Sequence, residues 1–198
     1  MVKASLRKRI LYIRENELAP EERRRLSLSI TEKFLNEFLL PAGITSLGLY
    51  YPIRNEVDTL ELFQFCLQNG IETFFPRISR NHEMDFFRVS DEKDLKKGTY
   101  GIYEPSSDGR TEEASHIPSV IVVPLVAFDA RNYRIGYGKG YYDRYISSKK
   151  PDLTVGFAYS FQQVDPFPVD EWDIPLHLIL TEKGWHGELK NSMSGGSR

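Results

Sequence analysis

Apolar residues over the first forty positions recur at helical spacing. Leu6, Ile10 and Ile13 form one stripe within residues 3–17 and predict an amphipathic helix. Ala19-Pro20-Glu21-Glu22 reads as a helix start, with proline at the first helical position and acids in the first turn. Leu26, Ile30, Phe34 and Phe38 then recur every four residues, predicting a second helix that ends before Pro41-Ala42-Gly43. Beyond it, short β-branched or aromatic runs predict strands over 46–51, 71–75, 84–89, 120–123, 153–158 and 176–181. Several stop at a proline: Pro52, Pro76 and Pro124. Val120 to Val123 is apolar at every position, as in a strand buried on both faces. Asp58-Thr59-Leu60-Glu61 resembles a capping box with Asp58 as the cap, and Leu60, Phe63 and Leu67 carry a helical face to Asn69-Gly70. Residues 91–97 are read as a short helical turn and 98–109 as a loop.

Strands alternating with helices through short connections predict an α/β protein, a three-layer α/β/α sandwich with a mostly parallel central sheet. Sheets of this kind bind ligands beyond the carboxyl ends of their strands. Glu56, Arg77 and the segment after residues 120–123 all follow strand-like runs, so this topology gathers them along one edge.

Composition narrows the possibilities. A chain of 198 residues with 40% apolar and 27% charged residues suits one domain, residues 1–190, and the polar, glycine- and serine-rich segment 191–198 is expected to be disordered. Net charge is −2 and the pI about 6.1, so there is no global basic field for nucleic acid or an anionic membrane. Any anion must be held by a local site. The single cysteine, Cys66, rules out an intramolecular disulfide and is expected to pack on the apolar face of its helix. No apolar stretch reaches the roughly 20 residues that span a bilayer, and a cytoplasmic protein is expected. The four histidines, His82, His116, His177 and His186, show no i, i+3 or i, i+4 pairing that would suggest a metal site, and no serine sits in a nucleophile elbow.

The strongest chemical signal is RIGYGKGYYD, Arg134 to Asp143. Glycines at alternate positions (Gly136, Gly138, Gly140) let backbone N–H groups approach an anion, the following helix start adds positive dipole, and Arg134 and Lys139 add full charge. The spacing is neither the dinucleotide fingerprint nor a P-loop. A glycine-rich loop by itself is more often only a turn. Here Asp143 lies close enough to hold the Mg²⁺ that accompanies a triphosphate, which makes Mg-nucleotide the most economical ligand. Lys3, Arg7 and Arg14 share one edge of the first helix. Without an anionic partner that edge reads as a solvated basic face.

The segment RIGYGKGYYD closely resembles the R-x-G-x-G-x-G-Y-Y-D signature of the 5-formyltetrahydrofolate cyclo-ligase family. Lys3-Ala4-Ser5-Leu6-Arg7 is similar to that family's K-x-x-x-R, and Asn55-Glu56-Val57-Asp58-Thr59 to its N-E-V-x-T stretch. Pro76-Arg77, Gly101-Ile102-Tyr103-Glu104-Pro105 and the Trp172-Asp173 region correspond in order, so the likeness runs to about Gly184. It implies a fold related to sugar-phosphate isomerases and CoA transferases, and ATP-driven closure of 5-formyltetrahydrofolate to 5,10-methenyltetrahydrofolate. Carried over residue by residue, Lys3, Arg7, Arg134, Ile135, Gly136, Tyr137, Gly138, Lys139, Gly140, Tyr141 and Tyr142 contact ATP. Asp143 and Asp173 hold Mg²⁺, while Tyr51, Glu56, Tyr100 and Tyr141 meet the folate. Lys139, Arg134 and Glu56 carry the chemistry. The family often has His-Asp where this chain has Trp172-Asp173, and Asp where it has His177. Small-molecule substrates, no nucleic acid, no membrane and a monomer are the expected partners and state. Two rivals stand beside this reading: an isomerase or transferase of phosphorylated small molecules on the same fold, and a folate- or nucleotide-binding protein without turnover.

Overall fold

The computed structural model describes residues 2–79, 81–98, 101–108 and 111–188. Helix α1 (Val2–Tyr12) runs into a π-helical turn, Ile13–Glu17, and α2 (Pro20–Phe34) is prolonged by another, Leu35–Leu39. The two helices therefore extend about as far as their apolar stripes. Next come β1 (Ser46–Gly48), α3 (Leu60–Gln68), β2 (Glu72–Ile78), β3 (Met84–Arg88), β4 (Leu95–Lys97) and β5 (Tyr103–Pro105). They are followed by β6 (Val120–Pro124), β7 (Ala127–Phe128), β8 (Arg134–Ile135), α4 (Tyr141–Lys149), β9 (Leu153–Phe157), β10 (Leu178–Thr181) and β11 (Gly184–His186). No helix among the described residues is long and apolar enough to cross a membrane.

Seven strands form one sheet in the order β11-β10-β9-β6-β1-β2-β3. The inner five are parallel, and β3 and β11 close the two edges antiparallel. The unbroken apolar run of β6 now has its cause. Val120 and Val122 face a core built with α2 and α3 (Ile30, Phe34, Leu62, Phe63), while Ile121 and Val123 face a second core with Tyr145 and Ile146 of α4. Helices therefore cover both faces, giving the expected three layers. Cys66 lies in the first core, where it packs as expected and burial pushes its thiol up to about 12.

Helix α1 stands apart from the sheet. Its Ile10 and Leu11 pack on Val126, Ala127 and Ile135, the β7–β8 ribbon from which the glycine loop departs. This sets the basic edge of α1 over that loop.

Four local expectations need correction. Strand β2 continues through Pro76, because β1 has already ended at Gly48 opposite Phe74 and a missing N–H on that side disrupts no pairing. Asp58 accepts from Leu60 N at 2.9 Å in a short turn, while Thr59 takes the cap position and donates its hydroxyl to Tyr50 O at 2.6 Å. Residues 91–97 divide into a 3₁₀ turn (Glu92–Asp94) and β4, which pairs with β5 where only loop was expected. Ribbon β7–β8 and edge strand β11 also lacked a signal, being two or three residues long with no alternation to read.

Candidate active site

Reading across the parallel strands, connections run one way from β1 to β2 and the other way from β6 to β9 and β10. The reversal falls between β1 and β6, and a crevice is expected beyond their carboxyl ends. A cleft of about 760 Å³ opens there, walled by Tyr50 and Tyr51 after β1, Pro76 and Ile78 of β2, Pro124 of β6 and the whole glycine loop. Lys3 and Arg7 reach it from α1, Tyr103 from β5, and Asp170, Trp172 and Asp173 from the segment before β10.

The glycine loop needs its glycines. Gly138 and Gly140 have φ of +94° and +65°, left-handed values that side chains disfavour, and Gly140 caps α4. A Cβ at Gly136 would lie 2.9 Å from Arg134 Nη1, the movable end of a side chain, so the requirement for glycine is firm only at the two left-handed positions. Arg7 fastens α1 to the loop by donating Nε–H to Gly136 O at 2.7 Å. Arg134 is nearly buried and pairs with Asp143 at 3.0 Å, its guanidinium 5.7 Å from the Tyr142 ring centre, while its Nε and Nη2 make no hydrogen bond among the described residues. Lys3 bridges Asp170, at 2.7 Å, and Asp173. Asp143 also accepts weakly from Ile174 N at 3.4 Å, so both carboxylates face the same corner as Lys3 and Arg134. Lys139 and Tyr141 line the cleft as well.

Glu56 faces this loop from a tight turn. Its N–H donates to Ile53 O at 2.9 Å, and both central residues are left-handed, with φ of +48° at Arg54 and +58° at Asn55. The Glu56 carboxyl, only 4% exposed, accepts from Ile53 N and from the Tyr137 hydroxyl, each at 2.9 Å. Burial pushes it up to about 7, with Arg14, the Ile53 N–H, Tyr137 and Arg54 pulling the other way. Burial also raises the Tyr137 hydroxyl, keeping it a proton donor. Nearby, the Tyr51 and Tyr103 rings stack with centroids 4.7 Å apart.

Every described residue assigned from the sequence to ATP, folate, metal or the chemistry borders one cleft. Tyr100 lies outside the described residues. Two expectations fail. Arg77 is absent from the cleft, since alternation along β2 points Pro76 and Ile78 into it, while Arg77 stacks 3.5 Å from the Phe87 ring centre and donates to Ser106 O at 2.9 Å. Arg14, read as part of a solvated face, is completely buried. Its seven-residue spacing from Arg7 was the available signal, because it keeps both on the helix edge that turns toward the loop. Tyr103 and Asp170 were also missed as cleft residues.

Fold and site together define a doubly wound α/β protein with a cationic glycine loop facing a buried carboxyl at the switch point. Sequence comparison makes the assignment specific: the family model described as the 5-formyltetrahydrofolate cyclo-ligase family matches residues 1–182, and the chain belongs to that family of ligases. It is 34% identical to the 5-formyltetrahydrofolate cyclo-ligase of Mycoplasma pneumoniae over 92% of this chain and 100% of that one. Against the Escherichia coli K12 cyclo-ligase the figures are 28%, 87% and 97%. Among solved structures, the Aquifex aeolicus 5,10-methenyltetrahydrofolate synthetase superposes with a TM-score of 0.78 at 39% identity, covering 100% of this chain and 96% of that one. The Mycoplasma pneumoniae synthetase gives 0.73 at 31%, covering 92% and 99%.

Proposed function

We propose that this cyclo-ligase closes 5-formyltetrahydrofolate to 5,10-methenyltetrahydrofolate at the expense of ATP, with the triphosphate on the glycine loop and the pterin against Glu56. The observation that carries the reading is the contact between the two halves: the Tyr137 hydroxyl, from the loop, donates to the Glu56 carboxyl across the cleft. Two ligands held at those places would have reacting groups next to each other.

An N-formyl group is amide-like and a poor electrophile. Transfer of the γ-phosphoryl to the formyl oxygen turns that oxygen into a leaving group. N10 then attacks the formyl carbon, forming the new C–N bond and losing its proton. The C–O bond breaks with its electron pair leaving on phosphate, so the balance is ADP, phosphate and the methenyl cation. Phosphoryl transfer needs positioning and charge neutralisation rather than a protein nucleophile. Arg134, whose Nη2 is ion-paired with Asp143 and whose Nε makes no hydrogen bond among the described residues, and Lys139 suit that task. Lys3 and Arg7 extend the same cationic wall, Glu56 hydrogen-bonds the pterin, and Tyr51 offers it a ring face.

The donor set also fits Mg²⁺. Asp143 and Asp173 border one corner, and no group of three or more His, Cys, Asp or Glu side chains among the described residues is placed to hold a metal. Two carboxylates suit an ion that arrives with phosphate oxygens and water. When bound, Mg²⁺ would neutralise phosphate charge. Lys3 and Arg134, which pair with these two carboxylates, lie within reach of the phosphates that accompany it.

Mixing the protein with Mg-ATP and 5-formyltetrahydrofolate should produce the conjugated methenyl chromophore, with one ADP released per turnover only when the folate is present. A stable, folded protein that yields no chromophore, or forms it without ATP, overturns the proposal. An isomerase or transferase would release no ADP.

A further inference from the structure

Arg14 is among the largest fully buried side chains of the described residues. It sits in the π-helical turn after α1, an irregularity of a kind frequent at functional sites. Its guanidinium, always charged, donates Nε–H to Arg54 O at 2.8 Å and Nη1–H to Leu125 O at 3.1 Å, and Nη2 donates to the Tyr137 hydroxyl. Asn55 Nδ2 returns a bond to Arg14 O at 3.1 Å. No carboxylate touches Arg14 among the described residues. A desolvated cation without a counterion is costly, and the acid at the end of its hydrogen-bond chain is Glu56, through Tyr137.

We infer that Arg14 is a positioning residue for Glu56: it clamps the left-handed turn that carries the carboxyl, aims Tyr137 at it, and favours its ionised, acceptor-only form. The inference rests on the reading of Glu56 as the pterin-binding group. Arg54 O, clamped by Arg14, is the carbonyl of the less favoured of the two left-handed residues, so the clamp holds strain a free loop would release. Leu125 O follows β6, which references the turn to the centre of the sheet. The groups facing Glu56 are Arg14 beyond α1, Arg54 in its own turn, Tyr137 of the loop, Tyr50 after β1 and Tyr142 of α4, with the Tyr159 hydroxyl on its backbone carbonyl. Only the two arginines among them are cationic. Arg54 is also paired with Glu15, whereas Arg14 is not. Burial is the largest influence on the carboxyl and Arg14 the largest that opposes it, so loss of Arg14 raises the carboxyl further.

Binding of 5-formyltetrahydrofolate without nucleotide, measured by fluorescence titration from pH 5.5 to 9, tests this. The unmodified protein should lose affinity as Glu56 protonates. In Arg14→Met that acid limb should move up by about 1–3 pH units, with folate KM raised more than kcat is lowered. Arg14→Lys, which keeps the charge but not the fork, should return the limb near its original place while leaving affinity reduced. A cooperatively melting Arg14→Met protein with the original limb and affinity overturns the inference. Should that variant not fold, Tyr137→Phe removes the bridging hydroxyl at almost constant volume, and an unmoved limb there overturns it equally. Glu56→Gln separates the two readings. If it flattens the limb while Arg14→Met does not move it, only the role of Arg14 fails; if it leaves limb and affinity intact, the pterin reading of Glu56 fails.

Discussion

On one side of the cleft an unbroken run, Arg134 to Tyr142, supplies the lining; on the other, a single carboxyl is held by pieces that lie far apart in the chain. The loop is partly open, with Lys139 and Tyr141 at the cleft surface, and its conformation is written locally in glycines at φ of +94° and +65°. Glu56 is buried, and its surroundings come from α1's extension, the loop itself and the ends of β1 and β9. Charge on the first side acts in a partly solvated groove, where it can meet a polyanion without a large desolvation cost. Charge on the second side is governed by burial, so its protonation becomes a variable of the site.

Substitutions should separate the two sides. Lys139→Ala should lower kcat by about 10²–10³-fold with an unchanged melting temperature, as expected for loss of one preorganised group that stabilises transferring charge. A folded variant with full turnover would remove Lys139 from the chemistry. Glu56→Gln should instead act on the folate, raising its KM roughly 10–100-fold, the cost of a charged hydrogen bond, while KM for ATP changes little. Equal damage to both constants would mean that the two sides are not separable.

Stability gives a third contrast. The Glu56 carboxyl is raised in the fold from 4.5 to about 7, so the folded state binds more protons than the unfolded one between those values. Its favourable contribution is complete below about 4.5 and is lost as pH rises through about 7. Glu56→Gln should therefore gain stability relative to the unmodified protein between pH 5 and 8, by on the order of 2–3 kcal/mol. Denaturant unfolding at several pH values measures the difference, and a pH-independent offset would contradict a buried, raised carboxyl. The smallest effect is expected at the rim. Tyr103→Ala removes the ring stacked at 4.7 Å on Tyr51 and should raise folate KM only about 2–10-fold, in line with the worth of one aromatic pair.

Legibility in the sequence followed the same division. The glycine loop, its charges and Asp143 were readable because their geometry depends on residues within ten positions, and the prolines that close β6 and flank β1 marked where strands give way to cleft-lining loops. Arg77 misled because its place after an apolar run said nothing of which face of β2 it would take. The β4–β5 hairpin was hidden because its strands carry one buried residue each, Leu95 and Pro105, too few for a period to show. Arg14 was the most consequential omission. A basic residue in line with Lys3 and Arg7 has the pattern of a solvated edge, and only the docking of α1 on the β7–β8 ribbon puts that edge underground.

By itself the sequence determined the layered α/β architecture and the glycine loop, since periodicity, glycine conformation and charge are properties of short stretches, whereas Lys3, Arg7, Tyr51 and Asp173 were reached only through the family resemblance. Tertiary structure alone decided that Glu56 is buried, that Arg14 and Tyr137 join it to the loop, and that Arg77 turns away. Burial is set by what packs across a gap in space, and desolvation follows burial, so protonation of the central carboxyl could not be read from its neighbours in the chain.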